Sequence, residues 1–146
     1  MLQQVMTGKW PMVPKVGMPI VDVRNVAEAH VNAIEKGVNG ARYLMNCQED
    51  FIWLKDWTKV LKDEFEGTEY KASIKEAPYC LLWMSSICDN SLNQFLVIYG
   101  KKFSCEQKRV QEDLGVNYIS MEQSTKEMAH NLIDIGYIED KRINKD

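Results

Sequence analysis

The chain has 146 residues, with Lys+Arg 18 against Asp+Glu 21, a formal net charge of -3 and 45% hydrophobic residues. That length and composition suit one globular domain and exclude wholesale disorder or a collagen-like repeat. A mildly acidic chain lacks the clustered cations that bind nucleic acid, and its longest apolar stretch, around Cys80–Met84, is far below the roughly 18 residues of a membrane span.

Neither nucleic acid nor membrane is therefore expected as a partner. The N-terminus, MLQQVMTGKW, has no basic segment followed by an apolar one, so it does not read as a signal peptide and a cytoplasmic protein is expected.

Pro11, Pro14 and Pro19, with Gly8 and Gly17, predict a loop over the first twenty residues. Residues 20–24 read as a short strand in which Val21 and Val23 alternate with Asp22 and Arg24. Asn25 and Glu28 have the spacing of a capping box. The helix they open runs to about Lys36, with Val26, Ala29, Ala33 and Ile34 roughly on one face and Gly37 as its stop. Residues 41–47, with Tyr43, Leu44 and Met45, suggest a buried strand, so the order so far is that of a βαβ-like unit.

Leu54, Trp57, Val60, Leu61 and Phe65 at helical spacing predict a helix over 53–65, ended by Gly67. A short strand over 70–74 follows. Pro78 is placed to open a helix over 79–99, apolar nearly all round in its first half and so expected to be buried on several sides. Residues 101–103 read as extended. Ser104 with Gln107 and Ser120 with Gln123 predict two capped helices, near 105–113 and 121–135, stopped by Gly115 and Gly136. Residues 139–146 form a charged tail expected to fray, which leaves 1–138 as the folded unit.

Catalytic constellations are mostly absent. No GxGxxG, Walker, HExxH, GxSxG or EF-hand pattern occurs, so no glycine-rich turn is present to cradle a pyrophosphate. Cys47, Cys80, Cys88 and Cys105 form no CxxC pair and have no His at zinc spacing, so no metal site is expected. Their even number permits disulfides, but Cys80 and Cys88 sit among apolar residues, as reduced core thiols do. His30 and His130 stand alone on separate helices and read as surface or packing residues. The adjacent acidic pairs, such as Asp63 and Glu64, point in different directions from a helix and read as solvated charges.

Asp22 and Arg24 share a strand face beside a helix N-terminus, where they line a pocket or form a structural ion pair. The proline-stiffened loop with Trp10, Pro11 and Met12 either walls a small-molecule pocket or packs on a neighbouring domain.

VDVRNVAEAH, residues 21–30, resembles the VDVRDVAEAH motif of extended short-chain dehydrogenase/reductases, in the dihydroflavonol reductase-like branch of the NAD-dependent epimerase/dehydratase family. The preceding GKWPMVP resembles that family's G-x-x-P-x-x-P loop, and Gly40-Ala41-Arg42-Tyr43 its G-x-R-Y strand. Pro78, Asp113-Leu114-Gly115 and residues 131–138 match its later landmarks in order. Asn25 replaces the usual Asp of the first motif.

The resemblance implies a helix-rich α/β chain, the C-terminal substrate-domain portion of an NAD(P)-binding Rossmann-fold reductase whose N-terminal core is absent. The family's glycine-rich turn and Tyr-x-x-x-Lys pair are not in this sequence. It follows that NADP or NAD belongs to the complete enzyme and is not bound by this chain alone, which is not expected to be catalytically competent by itself. A small carbonyl substrate is implied for the complete enzyme, and a partner is expected, either an N-terminal Rossmann segment or a second copy.

Trp10, Pro11, Met12, Asp22, Arg24 and Tyr79 are the candidate substrate-side residues. A non-catalytic binding module derived from the same fold is the competing reading. A small independent enzyme using His30 or His130 is a third.

Overall fold

The computed structural model describes residues 1–46, 51–102 and 108–142, a helix-rich α/β arrangement. In chain order its elements begin with helix α1 (Leu2–Met6), strands β1 (Val13–Pro14) and β2 (Gly17–Met18) and helix α2 (Val23–Lys36). Strand β3 (Ile52–Trp53), helix α3 (Leu54–Glu64), strand β4 (Glu76–Ala77) and helix α4 (Tyr79–Cys88) follow. A 3-10 turn (Asn90–Leu92), helix α5 (Asn93–Ile98), a π-helical turn (Val110–Leu114) and helix α6 (Met121–Asp134) complete them.

The main core forms where α3 meets α6. Leu54, Trp57 and Leu61 recur three or four residues apart, so they share one stripe of α3, which its C-cap Phe65 continues. They pack with Ala129 and Ile133 of α6, while Leu2, Val5 and Met6 of α1 and Ile138 close the ends. Ser120 caps α6 as its spacing with Gln123 predicts, its hydroxyl accepting from Gln123 N at 3.2 Å.

One extended stretch, residues 13–18, carries both short ladders. β1 pairs in parallel with β4, and β2 pairs antiparallel with β3. Gly17 is required here by close approach, because a Cβ at this position would lie 2.0 Å from Cζ of Phe51.

A second, smaller cluster joins Ala29 of α2 to Val110, Leu114 and Val116, with Tyr43, Met45 and Tyr118 packed against it. Asn25 and Asn32 fasten α2 to the same segment. Asn25 Nδ2 donates to Asn117 O at 2.7 Å and its Oδ1 accepts from Ile119 N at 2.9 Å, while Asn32 Nδ2 donates to Leu114 O at 2.9 Å.

Several expectations are corrected. Residues 2–6 form a helix where a loop was expected, because Leu2, Val5 and Met6 gain burial on the main core. Residues 20–24 are not a strand. Asp22, rather than Asn25, caps α2, since its carboxylate reaches Arg24 N at 2.9 Å and frees Asn25 for its longer-range bonds. Ile34 leaves the inner face and stands 87% exposed.

Residues 41–46 carry no ladder among the described residues, so no βαβ unit forms. Their burial still alternates as in a strand, with Tyr43 and Met45 half-buried and Arg42 and Leu44 exposed. Cys47, the last residue of that expected strand, lies outside the described residues, as do Phe103, Ser104, Cys105 and Gln107 of the later expected segments.

The strand expected over 70–74 is replaced by β4 two residues further on. The helix expected over 79–99 is interrupted at Asp89, whose extended backbone ends α4 and whose carboxylate accepts from Ser91 N to open the 3-10 turn. Nor is α4 buried on several sides. Only Leu82 and Ser86 are buried, and both Cys80 and Cys88 are exposed free thiols rather than core residues.

The start of the charged tail is anchored. Tyr70 Oη donates to Glu139 O at 2.7 Å and accepts from Lys141 N at 3.1 Å, while residues 143–146 lie outside the described residues.

Candidate functional site

Two segments about seventy residues apart in sequence meet across one cavity. Parallel pairing of β1 with β4 puts the loop before β1 beside the start of α4, and the space left between them is about 380 Å³. Trp10, Pro11 and Met12 wall one side, and Leu81, Leu82 and Ser85 of α4 wall the other. Phe95 of α5 closes one end, its ring edge-on to Trp10 with centroids 6.3 Å apart. The volume falls within the range of small-molecule pockets, which are mostly apolar with a few polar groups at fixed points. Here those polar groups are Lys9, Ser85 and Asp89.

The loop wall is held from below. Ser73 Oγ donates to Pro11 O at 2.7 Å, and Val13 N donates to Lys75 O at 2.8 Å. Tyr79 stands beside the cavity rather than on its lining. It packs edge-on against Tyr99, whose hydroxyl donates to Ala77 O at 3.0 Å and ties the end of α5 to the entry of α4.

Asp22 and Arg24 are not part of this cavity. They line a separate hollow of about 480 Å³ beside α6, together with Ser124, Glu127 and Met128. Their charges are already satisfied. Asp22 accepts from the backbone N–H of Arg24 and from its Nε and Nη2, while Arg24 Nη1 reaches Glu127 at 2.6 Å. The Arg24 side-chain hydrogen bond holds the Asp22 carboxyl far below the usual carboxylate range, against the opposing effect of burial. The ion pair that the sequence suggested for these two residues is formed, with Asp22 also capping α2, and both side chains stand at the edge of that hollow.

Replacing Asp22 by Ala is expected to lower stability by about 1–2 kcal/mol at neutral pH through the lost cap. A group with a depressed folded pKa contributes above its unfolded value of about 3.9 and loses that contribution as pH falls through the folded one. The gap between wild type and Asp22→Ala in urea midpoints should therefore be full at pH 6 and narrow below about pH 4. A gap that widens on acidification would contradict this account.

The two histidines are placed as packing and surface groups. His30 Nδ1 lies 2.7 Å from Val26 O of its own helix. His130 rests against the Phe65 ring and donates from Nε2 to Glu64 Oε1 at 2.9 Å. That bond first, and Lys126 second, holds the Glu64 carboxyl below the usual range. Glu64 is therefore a paired group joining α3 to α6, where adjacency with Asp63 had suggested a solvated charge. No group of three or more His, Cys, Asp or Glu is arranged to hold a metal ion among the described residues, and none of their helices is long and apolar enough to cross a membrane.

What sequence reasoning missed is the far wall, Ser85, Asp89, Leu92 and Phe95. Apolar spacing puts them within one long helix over 79–99, and only the break at Asp89 turns the chain back to close the cavity. The signal available was the run Asp89-Asn90-Ser91, three residues that compete for local backbone hydrogen bonds.

No family model and no curated protein matches the chain. Its fold is similar to that in the crystal structure of gox2253, with a TM-score of 0.72 and 18% sequence identity over 94% of this chain and 44% of that one. The chain thus spans less than half the length of the protein it matches, and at this identity the likeness concerns fold alone.

Proposed function

We propose that this chain is the substrate-side portion of an NAD(P)-dependent oxidoreductase of the extended short-chain dehydrogenase/reductase type, in the dihydroflavonol reductase-like branch, acting on a carbonyl or alcohol substrate. The observation that carries the reading is the cavity, because its walls are the candidate loop Trp10–Met12 and the helix that Pro78 opens, two of the stretches in which the family resemblance lies. Trp10, Pro11 and Met12 hold an apolar part of the substrate against Leu81 and Leu82, while Ser85 and Asp89 offer hydrogen bonds. Asp22 and Arg24 serve the frame of the domain and Tyr79 braces the helix, so none of the three is assigned to substrate.

The described residues do not fit a dinucleotide. The first turn of α2 already holds the Asp22 carboxylate, which repels a phosphate, and no glycine-rich turn precedes any helix. The cofactor therefore belongs to another segment. Two features support the docking of such a segment. Val23, Val31 and Ile34 leave an exposed apolar stripe along α2, and residues 41–45 keep strand-like alternation with no ladder among the described residues. A second reading, a self-sufficient binding module, is favoured by the closed α3–α6 core, and it uses the same cavity without chemistry.

Titration of the purified chain with an aromatic aldehyde, followed by the indole resonance of Trp10, tests the pocket. Binding is expected, and Trp10→Ala should weaken it by roughly 10-fold or more, the effect of losing about 1.5–3 kcal/mol of apolar contact. An affinity unchanged by Trp10→Ala would sink the pocket assignment. Turnover of a ketone with reduced dinucleotide by the chain alone would sink the division of labour, and capture of a Rossmann-type segment from the source cell would favour the reductase over the binding module.

A further inference from the structure

An α-helix turns about 100° per residue, which sorts the side chains of α4 into three arcs. Leu82 and Ser86 point inward and are buried, and Leu81 and Ser85 flank them on the cavity side. The remaining arc holds Tyr79, Trp83, Ile87, Cys80 and Met84, with Cys88 at its edge, all exposed, with Trp83 at 53%, Met84 at 59% and Ile87 at 69%. Nothing from Tyr79 to Cys88 carries an acidic or basic side chain. An aromatic side chain offers about 150–250 Å², and with half or more of Tyr79, Trp83, Met84 and Ile87 in water this arc exposes roughly 500 Å² of mostly apolar surface. That is at the upper end of what monomers leave in water.

We propose that this outer face of α4 is the contact between two copies of the chain, paired across a two-fold axis. Two such faces bury about 1,000 Å² in total, the lower bound for a specific interface, so the dimer is a weak one with a dissociation constant in the micromolar class. A two-fold contact places each patch against itself, which punishes like charges and favours a patch that has none. Ile87 and the small Cys80 lie near the middle of the arc, with Trp83 on one side and Met84 on the other. This surface is also distinct from the α2 stripe, because α2 packs on the π-helical turn while α4 packs on α5 and the 3-10 turn.

Sedimentation equilibrium of the purified chain across the micromolar range should give a mass moving from 16.9 kDa towards twice that value. Trp83→Glu and Ile87→Glu should each hold the mass at the monomer value, with helical circular dichroism unchanged because both side chains are exposed. Ile34→Glu, on the α2 stripe, should dimerise as wild type does. With Cys47, Cys88 and Cys105 all replaced by Ser, a short bismaleimide, each of whose two alkenes adds one thiol, should link two chains through Cys80 and fail to link them once Cys80→Ser is added. A monomer at all these concentrations, or a dimer lost in Ile34→Glu but kept in Trp83→Glu and Ile87→Glu, overturns the proposal. So does a monomer that partitions onto neutral phosphatidylcholine vesicles through Trp83, since the face would then meet lipid rather than its own copy.

Discussion

Replacing Leu61 by Ala is expected to destabilise the chain by about 2–5 kcal/mol, lowering the melting midpoint by roughly 5–15 °C. Leu61 is fully buried where α3 lies against α6, among Leu54, Trp57, Ala129 and Ile133. Truncation removes the transfer energy of the lost methyl groups and leaves a void that two packed helices cannot close without moving. Ile34→Ala is the control. Ile34 loses a side chain of similar size, but at 87% exposure it has almost no contacts to lose, so a change within about 0.5 kcal/mol is expected. Urea denaturation of the two variants decides the matter. Comparable losses would mean that the apolar face of α2 is covered in solution and that the α3–α6 contact is not the main core.

Asn25→Asp is expected to cost about 2–3 kcal/mol at neutral pH despite being the smallest possible change of shape. Asn25 is 2% exposed and uses both ends of its amide, donating to Asn117 O and accepting from Ile119 N. A carboxylate keeps the acceptor but turns the donor into a charged oxygen facing a carbonyl at the 2.7 Å position. Burial and the carbonyl both raise the folded pKa of the new group above its unfolded value. The folded form of the variant therefore gains, relative to wild type, as pH falls through that raised value, because the protonated acid donates again. The difference between wild type and variant midpoints should shrink from pH 7 to pH 4. A constant difference would show that the donor to Asn117 is not what Asn25 contributes. The outcome also bears on the Asp that the related motif carries here, since in this chain the 115–119 segment leaves room for an amide and not for an anion.

The helices over 23–36, 54–64 and 121–134 were legible because each carries its own pattern and its own punctuation. Ser120 and Gln123 form a cap within one turn, and Gly115 and Gly136 adopt the left-handed backbone that such stops use. The candidate loop at Trp10–Met12 was legible from prolines and aromatics. Its partner wall was not, because the bend at Asp89 depends on a local hydrogen bond that competes with a strongly apolar helix on either side. Asp22 was legible as an ion-pair member but not as a cap. Asp22 and Asn25 are equally good caps by type, and the choice between them rests on Asn117 and Ile119, more than ninety residues away.

By itself, then, the sequence determined that 23–36, 54–64 and 121–134 are helical and about where those three stop, and that a stiff apolar loop exists, because those outcomes rest on hydrogen bonds and periodicities within a few residues. Tertiary structure alone decided that Ile34 leaves the buried face of α2, that 41–45 carry no ladder among the described residues, that α4 is bare rather than enclosed, and that Trp10 meets Leu81 across a cavity. Burial depends on what the rest of the chain brings alongside. An apolar helix is the same string of letters whether a neighbour covers it or not.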